Sequence, residues 1–302
     1  MSTGVRESWR IVALSVSAGL LQDVEKELNA QGHRLVGILT APGPRTRRTD
    51  GYREIAELAR PGLDVIISNY PSRWETMIRP LRPDLIVVVS FNWIIPPSVL
   101  AVPRLGTING HDGLLPRYRG LNAIGWALRN DESESGITVH YVTAGLDDGP
   151  VLAQRAIPIT DDDDWDTLIG LFVETEREAF QEAFERIALG DPGTPQDEAD
   201  AYTTPGLFED DWLYIDWTKP ARDVFVQIRS WHGTRDQPRG ALGEIDGVLT
   251  RITKAKLVGE NRFEPAPPGT VLSRGEDSML IQCGDGPLRI LQWQPEPSSE
   301  AS

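Results

Sequence analysis

The chain has 302 residues, 30 Lys+Arg against 45 Asp+Glu, a formal net charge of -15, 40% hydrophobic residues and one cysteine. That length and apolar content suit two domains with sizeable cores and exclude a disordered chain. A single cysteine excludes an intramolecular disulfide and a multi-cysteine metal cluster, and the acidic balance argues against a broad face for a polyanion.

No apolar run reaches the roughly 20 residues of a membrane span. The opening MSTGVRESWRIVALSVSAG lacks the basic and long apolar regions of a signal peptide, so a cytoplasmic protein is expected. Arg10–Val16 (RIVALSV) reads as a strand, and the helix after it places Leu20, Leu21, Val24 and Leu28 on one face with Gly32 at its end. Strands follow at Leu35–Thr40, Asp64–Ser68 and Leu85–Ser90, separated by helical segments near Tyr52–Ala59 and Ser72–Leu81. Apolar throughout, these strands are those of a sheet covered on both faces, which predicts an α/β fold of βαβ units with a mostly parallel, Rossmann-like sheet.

Ligands of open α/β sheets sit beyond the carboxyl ends of strands. The segments to examine therefore follow Ser90 (FNWIIPP), Ile108 (NGHDGLLPRYRG) and Tyr141 (VTAGLDDGP). After Val151–Ile159 the run Asp161–Asp164 reads as the cap and first-turn carboxylates of a helix reaching about Leu189. Residues 190–206, rich in Pro, Gly and acidic residues, read as a linker between an N-terminal domain (1–189) and a C-terminal domain (207–302). In the latter, a helix at Pro220–Trp231 precedes several short strands with Gly-rich turns, the pattern of a small β-barrel.

Of four histidines, His33, His111, His140 and His232, His33 sits beside a helix end and His140 inside a strand run, where ordinary structural partners are expected. His111 follows a strand end, and Asn109, two residues earlier, projects to the same side. An amide beside an imidazole suits a carbonyl becoming an oxyanion, and Asp147 or Asp148 in GLDDG supplies an acid to orient the ring. No G-x-S-x-G elbow, P-loop, H-E-x-x-H or G-x-G-x-x-G motif occurs, so covalent, nucleotide-hydrolysing, zinc and hydride chemistries are disfavoured.

The stretch N-G-H-D-G-L-L-P-R-Y-R-G from Asn109, followed by GITVHYVTAGLDDG, resembles the folate-dependent formyltransferase family, whose pattern is N-x-H-x-S-L-L-P-x-x-R-G and then G-[LI]-D-T-G. The C-terminal segments resemble that family's barrel domain, of the oligonucleotide-binding type. The resemblance implies N10-formyltetrahydrofolate as donor, an amine as acceptor, no metal, and Asn109, His111 and Asp147 as catalytic residues, with Asp147 favouring protonated His111. It implies donor contacts at Phe91, Asn92, Trp93 and Ile94, at Gly113, Leu114, Leu115 and Pro116, and at Thr143, Ala144, Gly145 and Leu146.

Gly113 stands where the family has Ser, and Asp112 and Asp148 add carboxylates near the site. Arg45, Arg47 and Arg48 are candidates to meet a phosphate or carboxylate of the acceptor, with Asp112 a further acceptor contact. Leu207–Ser302 carries 11 Lys+Arg and 15 Asp+Glu, so neither domain is basic by count. The acceptor is therefore expected to be the amine of a small metabolite, an amino-sugar nucleotide or a hydroxyornithine-like amino acid, and nucleic acid is not expected. Formyl transfer to methionyl-tRNA and hydrolysis of formyltetrahydrofolate are the alternatives.

Overall fold

Leu85–Val89 is buried at all of its positions, as a strand covered on both faces must be. The computed structural model describes residues 7–43, 50–91, 93–204, 206–231, 238–259, 264 and 266–297. Its strands are β1 (Arg10–Ser15), β2 (Arg34–Thr40), β3 (Asp64–Ile67), β4 (Leu85–Val89), β5 (Thr107–His111), β6 (Glu134–Tyr141), β7 (Val151–Pro158), β8 (Ala241–Ile245), β9 (Val248–Leu257), β10 (Val271–Arg274), β11 (Met279–Gln282) and β12 (Pro287–Pro295). Its helices are α1 (Ala18–Ala30), α2 (Gly51–Ala56), α3 (Pro71–Ile78), α4 (Pro97–Leu100), α5 (Ala123–Arg129), α6 (Trp165–Ala188) and α7 (Ala221–Ser230). Two compact units emerge: Met1–Gly120 with Gly136–Ala156 and Phe172–Thr203, and Leu121–Ser135 with Ile157–Leu171 and Thr204–Ser302.

The first unit is organised by a seven-stranded sheet in the order β3-β2-β1-β4-β5-β6-β7. Pairings from β3 to β5 are parallel. Sequential strands run outward from β1 through β2 to β3, then β4 returns to the other side of β1, which opens a crevice at the carboxyl ends of the central strands. Val12, Leu14, Leu39, Trp74, Ile78, Ile86 and Val88 share one core cluster there.

β6 departs from the parallel rule. It runs antiparallel to β5, with Asn109 opposite His140 and Ile108 opposite Tyr141. The segment after Tyr141 therefore leaves beside the start of β5, not beyond a parallel strand's carboxyl end as expected from the sequence, and it has to fold back to reach His111.

In the second unit β8–β12 form a five-stranded antiparallel sheet in the order β10-β11-β12-β9-β8. Its core gathers Trp217, Phe225, Ile228, Ile252, Ile281, Leu288 and Ile290. Cys283 lies in this core, where burial and then Asp285 push its thiol up to about 12, so it offers no thiolate nucleophile.

Asp164 caps α6 as expected, its Oδ1 accepting from the Asp166 and Thr167 N–H groups at 3.1 and 3.0 Å. The neighbouring aspartates also form ion pairs: Asp161 with Arg222, Asp162 with Lys256, and Asp164 with Arg239. Along α6, Leu168, Phe172, Glu176, Phe180 and Phe184 recur every four residues and are all buried. Among the described residues no helix is long and apolar enough to cross a membrane.

Two glycines test this packing in opposite directions. A Cβ on Gly136 would stand 2.0 Å from the Arg155 carbonyl oxygen, whereas one on Gly170, inside α6, meets nothing within 4 Å. Gly136→Ala is expected to lower stability by about 1–3 kcal/mol, and Gly170→Ala to raise it by about 1 kcal/mol, both read from urea unfolding midpoints.

Candidate active site

The end of β5, the adjacent strand β6 and two loops build the site. Asn109 and His111 project from β5, and register places His140 directly across from Asn109. The Asn109 amide nitrogen lies 3.2 Å from His140 Nε2. His140 Nδ1 is 2.8 Å from the Tyr141 carbonyl, an acceptor only, so Nδ1 carries the proton. In the neutral ring Nε2 then accepts from Asn109, whose second amide N–H remains for a ligand.

His111 is 6% exposed, and its Nε2 donates to the Tyr118 carbonyl at 2.8 Å. This leaves Nδ1 as the nitrogen that can take up a proton, 3.6 Å from Asp147 Oδ2. The other carboxylate oxygen of Asp147 is 3.6 Å from His140 Nε2. Asn109, His111 and Asp147 are thus brought together as the sequence suggested, with His140 as a fourth member that strand logic had assigned an ordinary partner. Its signal in the sequence was its place seven residues before Asp147 in GITVHYVTAGLDDG.

The loop from Asp112 to Gly120 is fixed from β6 and β7. Thr138 Oγ1 donates to the Gly113 carbonyl at 2.6 Å and lies 3.2 Å from the Leu115 N–H that donates to it. Gln154 donates to the Leu115 carbonyl and to Thr138 Oγ1, each at 2.9 Å. Leu115–Pro116 is a cis peptide. The loop ends at Gly120, whose N–H donates to Asp147 Oδ2 at 2.9 Å.

Burial opposes the Asp147 charge, but His140 and His111, which carry charge at the acid pH where Asp147 titrates, and the Gly120 N–H outweigh it and hold the carboxyl at about 2. At His111 burial dominates and lowers the midpoint below 6.5, although Asp147 pulls upward. Asp147 thus favours the protonated ring in the expected direction, and desolvation, the larger effect, holds the His111 midpoint below its ordinary value.

Gly110, between Asn109 and His111, faces α6. A Cβ there would meet Glu176 Oε1 at 2.4 Å and the Phe180 ring at 3.0 Å. Burial, then the charges of Asp112 and Asp23, push Glu176 up to about 8, so it is uncharged at neutral pH. The sequence signal for this buried carboxyl is a glutamate in the apolar stripe of α6.

The remaining expected contacts divide. Ile94 is 78% and Leu146 49% exposed, while Leu115 is buried. Phe91 and Trp93 pack against Trp74, with ring centroids 5.5 and 5.7 Å away. Leu114 turns toward Gly136, Gly113 and Pro116 are engaged through their carbonyls, and Ala144 and Gly145 lie in an exposed turn. Thr143 Oγ1 donates to Asp148, so Asp148 ties its own loop together. Asp112 is exposed. Arg45, Arg47, Arg48, Asn92 and His232 lie outside the described residues.

These shifts fix a pH dependence. The Asp147 contribution to stability is present above 3.8 and is lost as pH falls toward 2. Because folded His111 titrates below 6.5, the unfolded chain takes up that proton first, and stability declines as pH falls below 6.5. By NMR the His111 ring is expected to titrate below 6.5 in the native chain, and lower still in Asp147→Asn, which removes the charge that raises it. A midpoint unmoved or raised in Asp147→Asn would contradict this electrostatic assignment.

Comparison with known proteins agrees with the geometry. Residues 11–184 match the Formyl transferase family and residues 210–302 the Formyl transferase, C-terminal domain family. The methionyl-tRNA formyltransferase of Caldanaerobacter subterraneus subsp. tengcongensis is 33% identical over 282 residues, covering 90% of this chain and 88% of that protein. The methionyl-tRNA formyltransferase of Trichlorobacter lovleyi is 34% identical over 301 residues, covering 97% and 91%. HypX from Aquifex aeolicus in complex with tetrahydrofolic acid shares the fold, with a TM-score of 0.67 and 22% identity over 96% of this chain and 45% of that one.

The full-length relatives overturn two expectations, that the acceptor is a small-metabolite amine and that nucleic acid is not a partner. Net charge misled because it sums over a surface and carries no information about where its cations lie. With matching profiles over both halves and relatives that align along nearly its whole length, the chain belongs to the formyl transferase family.

Proposed function

We propose that this chain transfers a formyl group from N10-formyltetrahydrofolate to the amine of methionyl-tRNA. The observation that carries this reading is the alignment with methionyl-tRNA formyltransferases at 33–34% identity over 90–97% of the chain. Features left open around the site fit the donor. Ile94 and Leu146 expose apolar side chains, and the buried Trp93 Nε1 has no hydrogen-bond partner. A flat heteroaromatic ligand with polar edges suits such a surface, with Phe91, Trp93, Ile94 and Leu146 holding it.

When bound, the donor supplies an electrophilic formyl carbon attached to nitrogen. The residues of the chain supply the rest. The free amide N–H of Asn109 stabilises the oxyanion that forms on that carbon. His111, neutral with its Nδ1 facing Asp147, takes up the proton shed by the attacking amine. The Asp147 carboxylate, ionised at neutral pH, stabilises the resulting imidazolium, and His111 then returns that proton to the donor nitrogen as its bond to the formyl carbon breaks and tetrahydrofolate leaves.

The second unit supports a nucleic-acid acceptor locally despite its acidic total. Lys256 pairs directly with Arg289 across β9 and β12, and Lys254 lies two residues from Lys256 opposite Gln292, so the three cations share one face of the sheet. Such a stripe suits a phosphate backbone, which would take the place of Asp162 as the partner of Lys256.

The test is transfer of labelled formyl groups from N10-formyltetrahydrofolate to methionyl-tRNA. Label is expected on the methionyl amine, and Asn109→Ala is expected to lower kcat by about 10²–10³-fold. Free labelled formate as the main product, with or without charged tRNA, would favour hydrolysis and overturn the reading. Lys256→Glu and Arg289→Glu are expected to raise the KM for methionyl-tRNA most at low salt, with the difference from wild type shrinking as salt is added and kcat unchanged.

A further inference from the structure

The segment 194–203, expected as linker, is laid along the first unit's active-site loops. Thr194 exchanges two backbone hydrogen bonds with Val151, at 2.7 and 2.8 Å. Tyr202 donates to the Pro116 carbonyl at 3.2 Å and accepts from the Arg119 N–H at 2.9 Å. Between these anchors Gln196 reaches the Asp147 loop, its Nε2 donating to the carbonyls of Asp147 and Gly149, each at 2.8 Å. Its Oε1 accepts from Arg119 Nε and Nη2 at 3.1 and 2.8 Å. Arg119 is 7% exposed and is held further by Glu198.

A closed ring results. Gly120, next to Arg119, donates to the Asp147 carboxylate, and Arg119 reaches the Asp147 backbone through Gln196. Asp147 needs such support, because its φ of 48° lies in the left-handed region that a residue with a Cβ enters only when its surroundings hold it there. With both amide hydrogens and the amide oxygen of Gln196 engaged, the network has no open position through which the loop can drift.

We propose that Gln196 is a positioning residue for formyl transfer: its amide group locks the backbone of Asp147 so that the carboxylate stays between His111 and His140. The inference rests on the reading that Asp147 and His111 manage the proton of the acceptor amine. Gln196 touches neither donor nor acceptor in this account and acts through Asp147.

Two variants of the full chain test it. In Gln196→Ala the Asp147 carboxylate is released, so kcat for formyl transfer is expected to fall by about 10²-fold with the KM for the donor unchanged. The His111 midpoint by NMR is expected to fall as well, because Asp147 is what raises it. Gln196→Glu keeps the size and the Arg119 contact but removes both N–H donors, so its kcat is expected to fall as far as in Gln196→Ala. Wild-type kcat in Gln196→Glu, or a reduced kcat in Gln196→Ala with the His111 midpoint unmoved, would overturn the proposal. If native protein forms no formyl-methionyl-tRNA while the His111 midpoint still falls in Gln196→Ala, the assigned reaction fails and the positioning role stands.

Discussion

The site depends on keeping one carboxylate ionised where burial works against it. Asp147 is largely withdrawn from water, and an isolated charge there would be neutralised by protonation. It remains a carboxylate because a backbone N–H binds it and because, at the acid pH where it would take up a proton, the protonated rings of His111 and His140 at 3.6 Å oppose that uptake. The same burial keeps His111 neutral, so the pair is poised with an acceptor nitrogen beside a fixed negative charge. Each partner comes from a different segment, which makes the local fold of β5, β6 and the loops after them a condition of the chemistry.

That dependence explains what was legible in the sequence and what was not. The parallel strands could be read because Leu85–Val89 and its neighbours are apolar at every position, and α6 because its buried residues recur at helical spacing. Asn109 and His111 could be paired because residues two apart on a strand share a side. The direction of β6 could not be read, since GITVHY carries the same apolar signal in a parallel or an antiparallel strand. With the direction hidden, the register that places His140 against Asn109 was hidden too. Glu176 and Gly110 were equally opaque, because their contact joins residues 66 positions apart and each alone looks like an ordinary deviation.

The linker reading rests on composition, which is silent on a role such as the one proposed for Gln196. Composition marked residues 190–206 as lacking a core-facing pattern. It said nothing about side-chain amides that bind the backbone of another loop. Gln196 is half-buried and breaks no periodicity, yet it makes four hydrogen bonds that end on Arg119 and the Asp147 loop. The charge of -15 misled about the acceptor because it averages a surface on which Lys254, Lys256 and Arg289 still align.

The arrangement imposes one protonation state on His111, which nitrogen chemical shifts of its ring at pH 7 report. A neutral ring with the proton on Nε2, donated to the Tyr118 carbonyl, and an unprotonated Nδ1 facing Asp147 is the predicted result. A doubly protonated ring, or a neutral ring carrying its proton on Nδ1, would contradict it.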